Sequence, residues 1–404
     1  MLFRSDEART AAQRADRELK AGAARGPLHG IPIAHKDLVE IEDRVTTGGS
    51  LYWKQRKSAL TATVARKLAD AGMIALGKTH MVEFAFGAWG TNRTMGTPWN
   101  PWDLATPRTP GGSSSGSGVA VGAAFAPAAL GSDTGGSVRI PASLCGIVGL
   151  KPTYGLVSRR GVLPNTFTFD TCGPMTRTVE DAAIVLGAIA GYDDADIASA
   201  ESTPQDYLAN LERGVKGLKI GWVRNWYDGD ERCHPDVPPA VEAALKVLAA
   251  EGAIVEEIRL PDLLVYQDCK TTISITEMFS AYEHEFRTRP QDFGLMFRNK
   301  VLSGSLIRAE DYFQALRQRV WLARELNRAF KDFDVLATAG WLTPAEPAHP
   351  DKLDKFLRPP NITTPFNIGG QPAMNVPCGF SRDGLPLSLQ LATTHFNEAL
   401  LLQA

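Results

Sequence analysis

Thr109–Gly118 reads TPGGSSSGSG and Leu130–Gly155 reads LGSDTGGSVRIPASLCGIVGLKPTYG, joined by a run rich in Gly and Ala. Eight of the ten residues in the first stretch are Gly or Ser, a composition that ordinarily marks a flexible linker. A linker is solvated, however, and from position 109 to 150 the only charged side chains are Asp133 and Arg139. So many small residues with so little charge describe a packed segment. Its glycines then serve close approach of one backbone to another.

Working outward, the apolar spacing alternates between helical and strand periods. Residues 5–20 read as an amphipathic helix closed by Gly22, and Arg25-Gly26-Pro27 breaks the pattern. Ile31 to Lys36 reads as a strand, 58–71 as a helix ending at Gly72, and Met73 to Leu76 as a buried strand. Further on, the pattern predicts strands at 218–224 and 253–259 and a helix at 237–250. It also predicts helices at 272–286 and 308–330. Strands return at Asp334 to Ala339, Ala373 to Gly379 and Pro386 to Ala392. This alternation predicts an α/β class with a central sheet.

Composition limits the partners. Among 404 residues, 43 Lys and Arg against 45 Asp and Glu give a formal charge of −2, which argues against nucleic acid or a membrane as the main partner. A hydrophobic share of 44% excludes disorder as the dominant state. Five cysteines (Cys145, Cys172, Cys233, Cys269, Cys378) are scattered without CxxC spacing, so neither a disulfide framework nor a metal site is expected, and no cofactor. The start is charged and helical in pattern, with no signal-peptide run. The weakly apolar stretch Gly118 to Gly131 is too short to span a bilayer. The expected location is the cytoplasm.

Two motifs are decoys. Gly72 to Thr79, GMIALGKT, fits the P-loop pattern, but a helix precedes it and an apolar strand occupies its middle, where a flexible loop is required. Gly112-Ser113-Ser114-Ser115-Gly116 fits GxSxG, which would make Ser114 a nucleophile on a strand–turn–helix elbow; the prolines before it are poor strand material.

Three residues remain: Lys36 at a strand end, and Ser113 and Ser137, each following two glycines. A serine hydroxyl is a weak nucleophile that needs a base within hydrogen-bond reach. A lysine serves as that base only when burial lowers its pKa. Asp37 would oppose the shift, but neighbours on a strand face opposite sides, so it is expected to point away.

The stretch PGGSSSGSG…ALGSDTGGSVRIPASLCGIVGLKPTYG resembles the signature of the amidase signature family of serine hydrolases. GPLHGIPIAHKDL resembles that family's lysine segment. ALGKTHMVEFAFG, TPWNPWD, DTCGPMTRTVEDAA and GQPAMNVPCGFSRDGLPLSLQL resemble its flanking blocks. The resemblance implies a single amidase domain over 1–404, with a signature core at about 25–180, a variable substrate-side region at about 200–340 and a closing segment at about 361–404. It implies a mixed central β-sheet of many strands covered by helices on both faces. Both ends look short for the family. Ser115 stands where the family usually has Gly, a small-for-small change.

Carried over residue by residue, the family's triad gives Ser137 as nucleophile, Ser113 as bridge after a cis peptide bond, and Lys36 as base. The 24-residue serine spacing matches the family's and selects Ser113 over Ser114 as bridge. The backbone N–H groups of Thr134, Gly135, Gly136 and Ser137 are the expected oxyanion hole. Trp89, Asn92 and Cys172 lie in blocks that line the family's cleft, and Trp89 with Phe167 hints at an apolar or aromatic acyl group. The implied activity is cleavage of a carboxamide C–N bond through a serine acyl-enzyme. Two alternatives are a carbamate (urethane) hydrolase on the same triad and the A subunit of a glutamyl-tRNA amidotransferase. The second is disfavoured because 270–300 holds no counterpart of that subfamily's Tyr-Asp-Gly-Val-Arg stretch. The expected partner is a small amide or carbamate, and a homodimer is compatible with the sequence.

Overall fold

Adjacent residues of the central strands enter different cores, as the two-residue period of a strand requires. Ile33, Ala128 and Leu130 join the large core, whereas Ala34 and Ala129 join a smaller one with Val121, Val138, Ala142 and Met175. Both faces of the sheet are therefore covered by apolar layers, consistent with buried strands that read as nearly continuous apolar runs.

The structure, a computed structural model, describes residues 2–3, 5–203, 205–348 and 361–404. Its strands are β1 (Leu2–Phe3), β2 (Pro32–Lys36), β3 (Ile74–Thr79), β4 (Ala128–Asp133), β5 (Val148–Lys151), β6 (Thr171–Thr176), β7 (Lys219–Val223), β8 (Ile254–Ile258), β9 (Val335–Ala339), β10 (Ala373–Phe380) and β11 (Pro386–Ala392). They form one sheet in the order β1-β3-β2-β4-β6-β5-β10-β11-β9-β7-β8. The sheet is mixed: β2 runs parallel to β3 and β4, and β7 parallel to β8 and β9. The pairs β4–β6, β5–β6, β5–β10, β10–β11 and β9–β11 are antiparallel.

The helices are α1 (Ser5–Lys20), α2 (Thr63–Asp70), α3 (Ser115–Gly122), α4 (Arg139–Cys145), α5 (Val179–Ile189), α6 (Val237–Ala250), α7 (Leu263–Thr288), α8 (Leu295–Leu302), α9 (Ala309–Ala329), α10 (Pro365–Ile368) and α11 (Glu398–Gln403). Helix α1, helix α6 and strand β11 have the bounds read from the sequence. Helix α2 begins later than the predicted 58, because Ser58 and Ala62 are drawn into hydrogen bonds with Arg44 and Glu40. Helix α7 begins nine residues before the predicted 272 and contains a non-helical turn at Tyr282.

The Ser/Gly segment forms α3 against its own propensity, since each interior Gly costs a helix about 1 kcal/mol relative to Ala. Tertiary packing decides. A Cβ on Gly116 would lie 2.5 Å from the His80 amide nitrogen, and one on Gly118 would lie 3.0 Å from Pro141. The segment is a helix pressed into a space that larger residues cannot enter, and no linker.

Candidate active site

Parallel pairing of β2 and β4 places their C-terminal ends at the same edge of the sheet, with His35 opposite Leu130. In open α/β sheets that edge is where ligands bind. Here it brings the Lys36 ammonium beside two hydroxyls: Nζ lies 2.7 Å from Ser113 Oγ and 2.8 Å from Ser132 Oγ. Lys36 is wholly buried. Burial lowers its pKa to about 7, against the opposing pull of Asp133, Cys172 and Asp170. The adjacent Asp37 points away, as expected: it accepts from the Thr47 hydroxyl and lies 3.8 Å from Lys78 Nζ. Burial raises Asp37 despite those partners.

The peptide Gly112–Ser113 is cis. A Cβ at Gly112 would sit 2.7 Å from the Gly90 amide nitrogen, so only glycine fits before Ser113. The Ser114 amide donates to the Ser137 carbonyl at 3.3 Å, which ties the two serine loops together. Among the described residues no hydrogen bond engages the Ser137 hydroxyl, and that residue lines the cleft in front of it. The geometry thus joins Lys36 to Ser113 directly and Ser113's loop to Ser137's through the backbone.

The loop carrying Ser137 is braced by a buried ion pair. Asp133 accepts from Arg139 Nε and Nη2 at 3.0 and 2.9 Å, and from the Gly136 and Val138 amides. Arg139 also reaches the Thr363 carbonyl, Gln390 and Asn367. Burial alone would raise the Asp133 carboxyl, but the Arg139 guanidinium holds it well below the usual range. Such a pair matters because its members satisfy each other; removing one strands a charge in low dielectric.

This bracing changes the expected oxyanion hole. The Gly136 N–H is taken by Asp133 at 2.8 Å. The amides of Thr134, Gly135 and Ser137 have no acceptor among the described residues, and all three residues line the cleft. The Thr134 hydroxyl is held by Asp170, and the Gly135 carbonyl accepts from Thr363, so the loop is clamped from both sides.

The cleft holds about 190 Å³. Trp89 lines it, as expected. Asn92 lines an adjoining pocket that shares Phe86, Trp89 and Lys300 with it; its amide nitrogen donates to the Gly49 and Met81 carbonyls, and its oxygen accepts from the Thr94 and Met95 amides. It is a loop brace. Cys172 also lies elsewhere, opposite Ser132 in the β4–β6 register and beside a different pocket. Burial pushes its thiol up to about 12, so it is an inert core residue. Phe167 belongs to that other pocket as well, 4.8 Å under the Arg159 guanidinium.

Sequence reasoning missed Ser132, Gln267, Lys270 and Lys300. Ser132 becomes visible once β2 and β4 are aligned in parallel; the others sit on α7 and α8, where no motif marks them. The decoys resolve cleanly. Lys78 Nζ donates to the Val39 carbonyl and to Thr46 inside the fold, and burial lowers it to about 8. Ser114 Oγ is buried on the Ser132 backbone, with no histidine bonded to it. Among the described residues no cluster suited to a metal ion occurs, and no helix is long and apolar enough to cross a membrane.

A mixed sheet with a buried lysine–serine pair behind a small cleft is a frame for acyl transfer. A family model described as Amidase matches residues 1–402, and the chain belongs to that family: it is an amidase, an enzyme of non-peptide C–N bonds. The chain is 39% identical to the A subunit of the glutamyl-tRNA(Gln) amidotransferase of Halorhodospira halophila, over 98% of this chain and 86% of that protein. Relatives 37–38% identical carry the same description. Among solved structures, one from a vestigial protein complex bearing on the origins of an s-triazine catabolic enzyme superposes with a TM-score of 0.92 at 32% identity. It covers all of this chain and 88% of the other. The peptide amidase of Stenotrophomonas maltophilia superposes with a TM-score of 0.86 at 33% identity, covering 99% and 86%.

Proposed function

We propose that the chain cleaves the C–N bond of a small carboxamide through an acyl-enzyme on Ser137, with Ser113 as bridge and Lys36 as base. The observation that carries this reading is the 2.7 Å contact between Lys36 Nζ and Ser113 Oγ in a fully buried setting, which gives the serine pair a base that loses its proton near pH 7. Ser137 Oγ attacks the carbonyl carbon while its proton passes through Ser113 to Lys36. The resulting oxyanion is received by the free amides of Gly135 and Ser137, with that of Thr134 beside them. The C–N bond then breaks and the proton returns to the leaving nitrogen. Water next attacks the ester, Lys36 takes its proton through Ser113, and a carboxylic acid departs as Ser137 regains its hydrogen. The whole chain acts as one catalytic domain in this reading, supported by a single sheet that runs from β1 to β11.

A second reading, the A subunit of a glutamyl-tRNA amidotransferase, is favoured over a stand-alone amidase by the curated relatives. Glutamine would then be the amide, and the ammonia would pass to a partner subunit serving tRNA. That reading replaces the sequence-based expectation of an enzyme with no nucleic-acid link. Nothing in the cleft favours a carbamate over a carboxamide.

The test is a reactive fluorophosphonate followed by peptide mapping, with Ser137→Ala as control, together with an assay of ammonia release from L-glutamine. A single adduct on Ser137 is expected, and an adduct on Ser114 would reassign the nucleophile. Glutaminase activity that rises on adding a B subunit supports the second reading. Turnover of simple amides but not of glutamine supports the stand-alone enzyme.

A further inference from the structure

The cleft in front of Ser137 contains two lysines and no carboxylate. Lys270 on α7 and Lys300 on α8 both line it. Among the described residues neither ammonium makes a hydrogen bond or an ion pair. Lys270 lies against the Ser137 loop: a Cβ placed on Gly135 would be 3.2 Å from its Nζ. Lys300 Nζ sits 4.8 Å from the Phe86 ring centre and 5.4 Å from that of Trp89, both cleft residues. The nearby acids are engaged elsewhere, Asp133 with Arg139 and Asp170 with Thr134 and the amides of Asn165 and Thr166. A charge held in a partly dry cleft without a counter-ion is costly, and two of them on facing helices cost more. An anion in the cleft would offset that cost.

We propose that Lys270 and Lys300 form a carboxylate-binding subsite, so that the preferred substrate is a short amide whose acyl group ends in a carboxylate. This rests on the reading of Ser137 as the nucleophile. Desolvation lowers Lys270 to about 8, against the pull of Asp170 and Asp133. Desolvation and the neighbouring Lys270 lower Lys300 to about 8. Both are therefore mostly cationic at pH 7. The closeness of Lys270 to Gly135 suits an acyl chain with a few carbons between carbonyl and carboxylate. The rings of Phe86 and Trp89 cover the methylenes and reinforce Lys300 through cation–π contact.

The experiment has two arms. The first compares ammonia release from glutaramate and from pentanamide, which differ in the terminal charge. Wild type is expected to favour glutaramate at least tenfold in kcat/KM. Lys270→Met and Lys300→Met are each expected to lower that ratio at least tenfold, and Lys270→Arg to restore most of it. A ratio near one in wild type, or variants that lose both substrates alike, overturns the proposal.

The second arm needs no catalysis: malonate, succinate and glutarate are titrated calorimetrically into Ser137→Ala protein, alone and with each lysine replaced. Binding of at least one dicarboxylate that is lost in either lysine variant supports the subsite, and no binding to the Ser137→Ala protein refutes it. Dicarboxylate binding without turnover or labelling of the wild type would leave the subsite standing while the catalytic reading fails. Thermal melts identify a variant that does not fold, and the other lysine then decides.

Discussion

The two walls of the cleft are built on opposite principles. The wall formed by β2, β4, α3 and α4 is polar and saturated. Lys36, Ser113, Ser132, Asp133 and Arg139 are all buried, and each has directional partners at 2.7–3.0 Å. The wall formed by α7 and α8 turns Gln267, Lys270, Thr271, Ser274, Ile275 and Lys300 to the cleft and is backed by a buried cluster of rings. Phe84, Tyr282, Phe286, Phe293 and Phe297 pack with centroids 4.5–5.7 Å apart across several tilted and stacked pairs. Hydrogen bonds to charged groups enforce distance and angle, whereas ring packing tolerates rearrangement. The first wall suits unchanging chemistry, and the second suits a substrate site that can vary. That difference explains how one frame is shared with relatives described as a peptide amidase and as part of a tRNA-linked amidotransferase.

The contrast breaks most visibly at its catalytic extreme. Ser137→Ala and Lys36→Met are each expected to lower kcat by about 10⁴-fold or more with a cooperative melt retained, because the members of the proposed triad would act as a unit. An effect under tenfold would remove the polar wall from the chemistry.

Arg139→Met tests the bracing. It strands the Asp133 carboxylate and is expected to cost about 3–5 kcal/mol of stability in a denaturant titration. A cost below 1 kcal/mol would mean that the loop does not depend on the pair.

The pH profile sharpens the role of Lys36. The amine accepts a proton only when neutral, and burial places its pKa near 7. For a neutral amide such as pentanamide, kcat/KM is therefore expected to fall about tenfold per unit as pH drops below 7 and to level off above it. A profile flat from pH 5 to 7 would exclude Lys36 as the base.

On the ring wall, Phe293→Leu is expected to cost no more than about 1.5 kcal/mol and to move KM more than kcat. A kcat loss as large as that of the triad variants would erase the distinction between the walls. Ser114→Ala is the smallest case. Its hydroxyl makes two long contacts to the Ser132 backbone, at 3.2 and 3.3 Å, so about 1 kcal/mol of stability is at stake and labelling of Ser137 persists.

What was legible follows from how local each signal is. The class, the strand at Lys36, the amphipathic α1 and the helix α6 were readable because their periods lie within one element. The triad candidates were readable because the blocks around Lys36, Ser113 and Ser137 match a family pattern in order and spacing. Asn92 and Cys172 lie outside the cleft in front of Ser137 because membership of a block says nothing about direction. Asn92 turned its amide nitrogen to the Gly49 and Met81 carbonyls, and Cys172 is buried in the core opposite Ser132.

The amino-acid order alone thus determined an α/β chain, a packed rather than flexible Gly/Ser segment, and a lysine and two serines with the means for acyl transfer. Only the tertiary structure decided that Lys36 is dry enough to be a base, since desolvation comes from every layer around it. It alone decided that the Gly136 amide belongs to Asp133, leaving its neighbours' amides for an oxyanion. And it alone carried Lys270 and Lys300, more than 130 positions from Ser137 in the chain, into the same small cleft. Charge and hydrogen bonding act through space, and the distances that set them exist only once the chain has folded.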